Sequence, residues 1–253
     1  PDVRRQHQRR HALHAVDKAV TDLLELHGIL GEGALDVPDG AGQLRGPEHD
    51  VRIADAEGVV WHVPPPAMDP TGCLPPIGDR VQAMLDFANA ASDDGTFIHP
   101  VLRAIISHFW LGYEHPFRDG NGRMARALFY WVMLSNDYEM AEFLSISGQI
   151  DRKPHDYYRA FAYVETDDGD LTYFILHQLS VLDDALRELL DDLKARAKHA
   201  KELSRAIAGF DGLNHRQRAL LQSAVRHPLQ SYTIAGHASA HRVTYLTARS
   251  DLA

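Results

Sequence analysis

Apolar residues recur at helical spacing along most of this chain, and polar or glycine-rich segments separate the resulting stretches. The pattern predicts a first helix from about Arg5 to Leu30, followed by a glycine-rich polar loop up to Asp50. Further helices are predicted at these places: residues 78–91, both sides of residues 114–121, residues 157–161, and from residue 170 toward residue 206. Residues 92–97 are predicted to form a loop.

One short region has a different pattern. Two apolar runs, residues 51–53 and residues 59–63, flank a polar turn at residues 55–58. Such runs around a turn predict a β-hairpin, and an isolated hairpin is only marginally stable. We therefore expect the hairpin to lie against a helical core.

After Gly209 the pattern changes again, so we place a domain boundary shortly before it, with domains at residues 1–205 and 206–253. Asn214 is positioned to cap a helix, and two further short helices are predicted to follow it. Three short helices are typical of a helix-turn-helix unit, so residues 206–253 are a candidate DNA-binding segment. Arg242 and Arg249 are the only cations in the third helix region, so a protein-interaction module is an open alternative.

Composition excludes several classes of protein. The net charge of −9 argues against general affinity for nucleic acid, and no apolar run reaches the length of a membrane span. A single cysteine, Cys73, excludes an internal disulfide and favours a reducing compartment, so we expect a cytoplasmic protein. The chain begins without Met and ends within a helical pattern, so both ends are expected to be truncated. The charged last third of the long helix is expected to be a spacer or a homodimer surface.

The residue types that carry chemistry concentrate in one loop, at residues 114–126. Pro116 is expected to stop the preceding helix, and Asn121 to cap the next one. Glycines beside a helix N-terminus form an anion site, since backbone N–H groups converge there. Arg123 and Arg126 lie three residues apart on one helix face and can both bind phosphate oxygens.

Two further side chains extend this interpretation. Asp119 is a hard oxygen ligand that suits Mg²⁺, and His115 can accept a proton near neutral pH. A phosphate site with a base beside it is typical of transfer of a phosphorus group to a hydroxyl. Each residue alone is more often structural, but their coincidence in one loop favours a functional site. Phe117 is expected to anchor the loop in the core.

Residues His115 to Arg126 match every specified position of the Fic (Fic/Doc) signature, His-Pro-Phe-x-Asp/Glu-Gly-Asn-Gly-Arg-x-x-Arg, so the chain resembles that family. The resemblance implies an all-α Fic fold with a small hairpin flap. It also implies a protein adenylyltransferase, which uses ATP and Mg²⁺ to attach AMP to a Ser, Thr or Tyr hydroxyl of a target protein or of itself, releasing pyrophosphate. The C-terminal segment resembles a truncated winged helix that some Fic proteins carry.

The resemblance also assigns roles to residues. It implies that His115 is the catalytic base and that Asp119 holds the metal. It implies that phosphate is bound by the following residues: Gly120, Asn121, Gly122, Arg123 and Arg126. The hairpin resembles the family's target-docking flap, formed here by Val59, Val60, Trp61, His62 and Val63, and a plain surface hairpin is the alternative. Tyr157 and Tyr158 are expected either to flank an adenine ring or to pack in the core.

Other functions remain open at this point. The chain is alternatively a DNA-binding regulator whose Fic domain senses a nucleotide, or a Fic enzyme that uses another phosphate-containing donor. Many Fic proteins carry an inhibitory Ser/Thr-x-x-x-Glu-Gly/Asn segment, and neither Thr21–Glu25 nor Ser135–Glu139 completes that pattern. We therefore expect the inhibitory glutamate to come from upstream of Pro1 or from another chain.

Overall fold

The computed structural model describes residues 20–54, 58–90, 97–227 and 229–253 of the 253-residue chain. It divides into two compact units, residues up to 186 and residues from 187. Three parts of the sequence-based prediction lie outside the described residues: residues 5–19 of the expected first helix, residues 55–57 of the hairpin turn and residues 92–96 of the predicted loop. The predicted boundary at residue 206 stays a prediction.

Helices dominate the described residues, as the pattern predicted. The helices in chain order are α1 Val20–Gly31, α2 Ile77–Asn89, α3 Pro100–Glu114, α4 Asn121–Ser135, α5 Ile146–Arg152, α6 Pro154–Thr166, α7 Thr172–Gly209, α8 His215–Arg226, α9 Ile234–His241 and α10 Tyr245–Leu252. Short 3₁₀ helices lie at Pro38–Gly40 and Glu139–Phe143. Among the described residues, none of the helices has both the length and the apolarity needed to cross a bilayer.

Helices α3 and α4 form the centre of the first unit, and α2 packs against α3. Ile105, Leu111 and Val132 on the two central helices are fully buried. Gly112 allows α6 to approach α3, because a Cβ there would lie 2.7 Å from the Phe161 ring. Phe161 stacks on Phe109 with a centroid separation of 4.7 Å, which joins α3 to α6. This core fixes both ends of the loop that joins α3 to α4.

The predicted hairpin is present and shorter than expected. Strand β1 is Ile53–Ala54 and strand β2 is Val60–His62, which pair antiparallel with Ile53 opposite His62. The hairpin leans on the helical core as predicted, since Trp61 stacks on Tyr158 of α6 at 6.0 Å. A mostly helical fold with one small antiparallel sheet is thereby confirmed.

The second unit contains three short helices whose starts follow the expected capping chemistry. Asn214 and Gln217 form a reciprocal capping box at α8, and the Thr233 and Thr244 hydroxyls cap α9 and α10. The Asp251 carboxylate of α10 links the helices of this unit. It accepts hydrogen bonds from Arg216 of α8 at 2.6 and 3.0 Å. The Asn214 amide and the His237 ring donate to the same carboxylate at 2.7 and 3.2 Å. The winged-helix interpretation of this segment stays a prediction.

Candidate active site

His115 lies where helix α3 gives way to the loop, and its backbone is left-handed, with φ of 46°. Its ring Nδ1 lies 3.1 Å from the Gly112 carbonyl oxygen, which can only accept a hydrogen bond. Nδ1 therefore carries the proton, and Nε2 keeps its lone pair. Burial lowers the pKa of His115 to about 4, although the bond to Gly112 opposes this fall. The ring is therefore neutral near pH 7 and has a nitrogen ready to accept a proton.

The buried Arg45 side chain fixes the backbone around His115. Its Nε donates to the His115 carbonyl at 2.8 Å, and its Nη2 donates to the carbonyls of Glu114 at 3.1 Å and Pro65 at 2.5 Å. The Arg45 backbone N–H donates to Pro116 at 2.9 Å. The sequence analysis gave Arg45 no role, and the structure gives it one, because three of its four hydrogen bonds go to residues 114–116 and hold the loop entrance.

His27 of α1 holds the other end of the loop, and sequence reasoning missed it. Its ring stacks on Phe117 at a centroid distance of 3.9 Å, so Phe117 is the buried anchor that was predicted. Nδ1 accepts from the Gly42 N–H at 2.9 Å, so Nε2 carries the proton and donates to the Asp119 carbonyl at 2.9 Å. The available signal was a histidine on the apolar face of a helix, beside Leu23, Leu26 and Leu30.

The start of α4 differs from the prediction. Asn121 was expected to cap the helix, but it is the first helical residue and Gly120 occupies the cap position, so that prediction was wrong. The Asn121 amide instead accepts from the Phe117 N–H at 2.9 Å and donates to the Phe117 carbonyl at 2.8 Å. Gly120 has φ of 80°, and a Cβ there would meet the His27 ring at 3.0 Å. The side chain of Asn121 shapes the loop from inside, and its backbone N–H remains at the helix N-terminus.

Asp119 is the acidic side chain of residues 115–120, which join α3 to α4. One carboxylate oxygen accepts from the Asp36 N–H at 2.7 Å and the other from the Gly120 N–H at 2.5 Å. Each oxygen retains a second lone pair, so the carboxylate can still bind a cation. Among the described residues, no cluster of three His, Cys, Asp or Glu side chains could hold a metal alone. The arrangement therefore fits Mg²⁺ only in its usual mode, with one carboxylate and substrate phosphates as ligands.

The two arginines of the loop have different surroundings, although they were expected to act on one face. Arg123 donates from Nη2 to the Ala34 carbonyl, and its buried Nη1 has no hydrogen-bond partner in the described residues. Arg126 lines a cavity together with His115, and within the described ranges its guanidinium makes neither a hydrogen bond nor an ion pair. A buried donor and an unpaired guanidinium beside one helix N-terminus are the chemistry of an anion site.

The cavity at His115 has a volume of about 240 Å³. Its walls come from the hairpin, the loop, α4, α5 and α6, and include Trp61, His62, His115, Gly122, Arg126, Asp151, Tyr157 and Tyr158. The volume is below the roughly 300–1,000 Å³ of typical ligand sites, so the cavity can enclose only part of a nucleotide. The structure thus brings together the predicted base, one predicted arginine, one predicted glycine and two of the flap residues.

Two other sequence-derived expectations concern the same cavity. Tyr157 and Tyr158 both line it, and the Tyr157 hydroxyl lies 3.0 Å from Nε2 of His108. Burial raises the pKa of Tyr157 and lowers the pKa of His108 to about 3, so both groups are neutral near pH 7. Of the flap residues, Trp61 and His62 face the cavity, while Val59, Val60 and Val63 are exposed.

Comparisons with known proteins agree with this geometry. The family model described as Fic/DOC matches residues 17–133. Protein adenylyltransferase Fic of Nematostella vectensis is 31% identical over 157 residues, which are 62% of this chain and 30% of that protein. Protein adenylyltransferase fic-1 of Caenorhabditis elegans is 37% identical over 59 residues, which are 23% of this chain and 12% of that protein. This chain spans less than a third of either relative's length.

A solved structure is similar over most of the chain. A Fic family protein from Desulfovibrio desulfuricans G20 matches with a TM-score of 0.60 and 26% identity, covering 89% of this chain and 65% of that one. The family match contains all of the loop from His115 to Arg126 and the hairpin. Residues 17–133 of this chain are therefore a domain of the Fic/DOC family.

Proposed function

We propose that this chain is a nucleotidyltransferase that moves AMP from ATP to a Ser, Thr or Tyr hydroxyl of a target protein, or of itself. The observation that carries the proposal is His115, a largely buried neutral imidazole in a cavity shared with Arg126, which has no hydrogen-bond partner among the described residues. The names of the relatives support the same reaction class.

In the proposed reaction, Nε2 of His115 accepts the proton of the target hydroxyl. The hydroxyl oxygen forms a bond to the α-phosphorus of ATP, and the bond from that phosphorus to the pyrophosphate oxygen breaks. Pyrophosphate leaves with the negative charge, and His115 carries the transferred proton until solvent removes it. The bond between Nδ1 and Gly112 keeps Nε2 as the accepting nitrogen throughout.

The phosphates would be held by the N-terminus of α4. Backbone N–H groups of Gly120, Asn121 and Gly122 would donate there, together with the Arg126 guanidinium and the unpartnered Nη1 of Arg123. Asp119 would hold Mg²⁺, which supplies charge neutralisation for the phosphates when bound. The flap, Val59 to Val63, would dock an extended target segment by strand addition.

Three further assignments are predictions. DNA binding by residues 206–253 rests on the pattern of three short helices, and a gel-shift titration with duplex DNA tests it. A homodimer through the charged part of α7 is tested by sedimentation of the intact chain. A cytoplasmic location follows only from cysteine usage.

Labelled ATP tests the proposed reaction. The protein is incubated with Mg²⁺ and with ATP labelled at either the α- or the γ-phosphate, with and without a cell lysate that supplies targets. We expect the α-label to become attached to protein and the γ-label to remain in solution, with no transfer by His115→Ala. Attachment of the γ-label would contradict AMP transfer and indicate transfer of the γ-phosphate, as in a kinase. Attachment of neither label would contradict the proposal that the chain is an enzyme.

A further inference from the structure

A second and larger cavity lies on the other side of His62. Its volume is about 580 Å³, and His62 lines both this cavity and the one at His115. The His62 Nε2 donates to the Tyr113 carbonyl at 2.7 Å, and its Nδ1 lies against the Glu165 carboxylate. His62 is therefore a fixed partition between the two cavities rather than a mobile surface side chain.

The lining of this second cavity, called the acidic groove below, has a distinct chemistry. Phe109, Trp110 and Tyr113 of α3 supply aromatic walls, and Glu165 and Asp168 supply carboxylates from the end of α6 and the turn after it. Burial raises the pKa of Tyr113, and the negative charges of Glu165 and Glu114 add to that rise. Among the described residues, no Lys or Arg side chain lines the groove.

We propose that the acidic groove receives an arginine side chain of the target protein and so selects targets with a cation near the modified hydroxyl. The inference rests on the proposed function, and it names the class of target protein that the proposed reaction would modify. Guanidinium groups stack on aromatic faces and pair with carboxylates, and the groove offers both contacts in one place. An apolar target side chain would cover the aromatic walls but would form no ion pair with either carboxylate, so the groove favours arginine over it.

The position of the groove also limits the target sequence. An extended segment rises about 3.3 Å per residue and places every second side chain on the same face. Because one imidazole ring separates the groove from the cavity at His115, we expect the arginine about two to four residues from the modified hydroxyl.

Binding of short peptides tests the proposal without any transfer reaction. The probes are acetyl-Ala-Arg-Ala-amide and the same peptide with citrulline, which has the same shape and no charge. The readout is the indole N–H resonance of Trp110, identified with Trp110→Phe, during titration of the intact protein. We expect the arginine peptide to bind roughly tenfold more tightly than the citrulline peptide, as combined cation–π and carboxylate contacts imply.

Variants test whether the preference for arginine comes from the carboxylates of the acidic groove or from the negative charge of the whole protein. The double variant Glu165→Gln with Asp168→Asn should remove the preference for arginine over citrulline. Asp167→Asn should keep it, because Asp167 bonds to the Tyr173 hydroxyl and does not line the groove. Equal affinity for both peptides, no shift of the Trp110 resonance, or a preference that survives the double variant would each overturn the proposal. A protein that shows the preference but transfers no AMP would instead contradict the proposed function alone.

Discussion

The surroundings of the loop between α3 and α4 and the C-terminal unit both contain polar groups within the fold, and they differ in how those groups are paired. In the C-terminal unit the Asp251 carboxylate has three donors, Arg216, Asn214 and His237. Around the loop, Arg45 and His27 satisfy backbone carbonyls, while His115 keeps a free Nε2 and Arg126 has no hydrogen-bonding partner in the described residues. Both oxygens of the Asp251 carboxylate therefore have hydrogen-bond partners, whereas His115 and Arg126 each have polar atoms without one in the described residues.

This difference separates structural from functional polar groups. A buried donor or acceptor without a partner costs about 1–3 kcal/mol, so a fold keeps one only where something else compensates. Around the loop, the side chains that position the backbone are fully engaged, and the side chains assigned to the reaction are not. The comparison predicts that variants of the unpaired groups remove activity without loss of stability, whereas variants of the paired groups mainly destabilise the fold.

The largest expected effect is that of His115→Ala. A general base contributes roughly 10²–10⁴-fold to the rate, so we expect transfer to fall by that factor while ATP affinity and the unfolding temperature remain near those of the unmodified protein. Single-turnover transfer and an ATP titration measure the two quantities. His199→Ala, at an exposed position of α7, is the matched control and should change neither. Retention of more than a few per cent of the activity would exclude His115 as the base.

Arg126→Ala should have the next largest effect. Hydrogen bonds to charged groups are worth about 1.5–3 kcal/mol, so we expect ATP affinity to fall roughly 10- to 100-fold with little change in stability. Arg123→Ala should weaken ATP binding less and also lower stability, because Arg123 donates to the Ala34 carbonyl. Calorimetric titration with ATP and thermal unfolding of both variants measure this. Identical losses for the two arginines, with unchanged stability in both, would show that they act as one phosphate clamp instead.

Both ring nitrogens of His27 have hydrogen-bond partners, so a variant of His27 tests whether paired groups around the loop mainly stabilise the fold. His27→Phe keeps an aromatic ring for stacking on Phe117 but leaves the Gly42 N–H and the Asp119 carbonyl without their partner. We expect a loss of about 2–4 kcal/mol in the free energy of unfolding, and about tenfold slower transfer by the folded fraction. Denaturant titration and transfer below the unfolding transition measure both. Unchanged stability with full activity would mean that Arg45 alone fixes the loop.

Asp251→Asn should have the smallest effect on activity. The hydrogen bond from Arg216 comes first among the contacts that hold the pKa of Asp251 below its ordinary value. The native carboxylate therefore stabilises the unit above about pH 4, and that contribution is lost as the pH falls further. We expect faster amide hydrogen exchange in α8–α10 of the variant at pH 7 and little change in transfer. Asp211→Asn, at an exposed position of the same unit, is the control, and equal exchange in both variants would contradict the role of Asp251.

Helical periodicity and the loop motif predicted most of the fold and the identity of the candidate base. Local signals suffice for these features, since Asn214 caps α8 and Phe117 is buried as the sequence indicated. The Asn121 prediction failed because an amide at a helix start can bond to the preceding loop instead of the helix. The contacts of His27, Arg45 and Ala34 with the loop join residues 70 or more positions apart, and no local pattern encodes such pairings.

The pH dependence of transfer tests the central claim, that His115 is a buried, neutral base. Single-turnover transfer at saturating ATP is measured from pH 4 to 8 for the unmodified protein, with folding checked at each pH. Because the base acts when neutral and its pKa is lowered to about 4, we expect a nearly constant rate from about pH 5.5 upward and a fall only as the pH approaches about 4. A fall centred near the ordinary histidine value of about 6.5 would contradict the account.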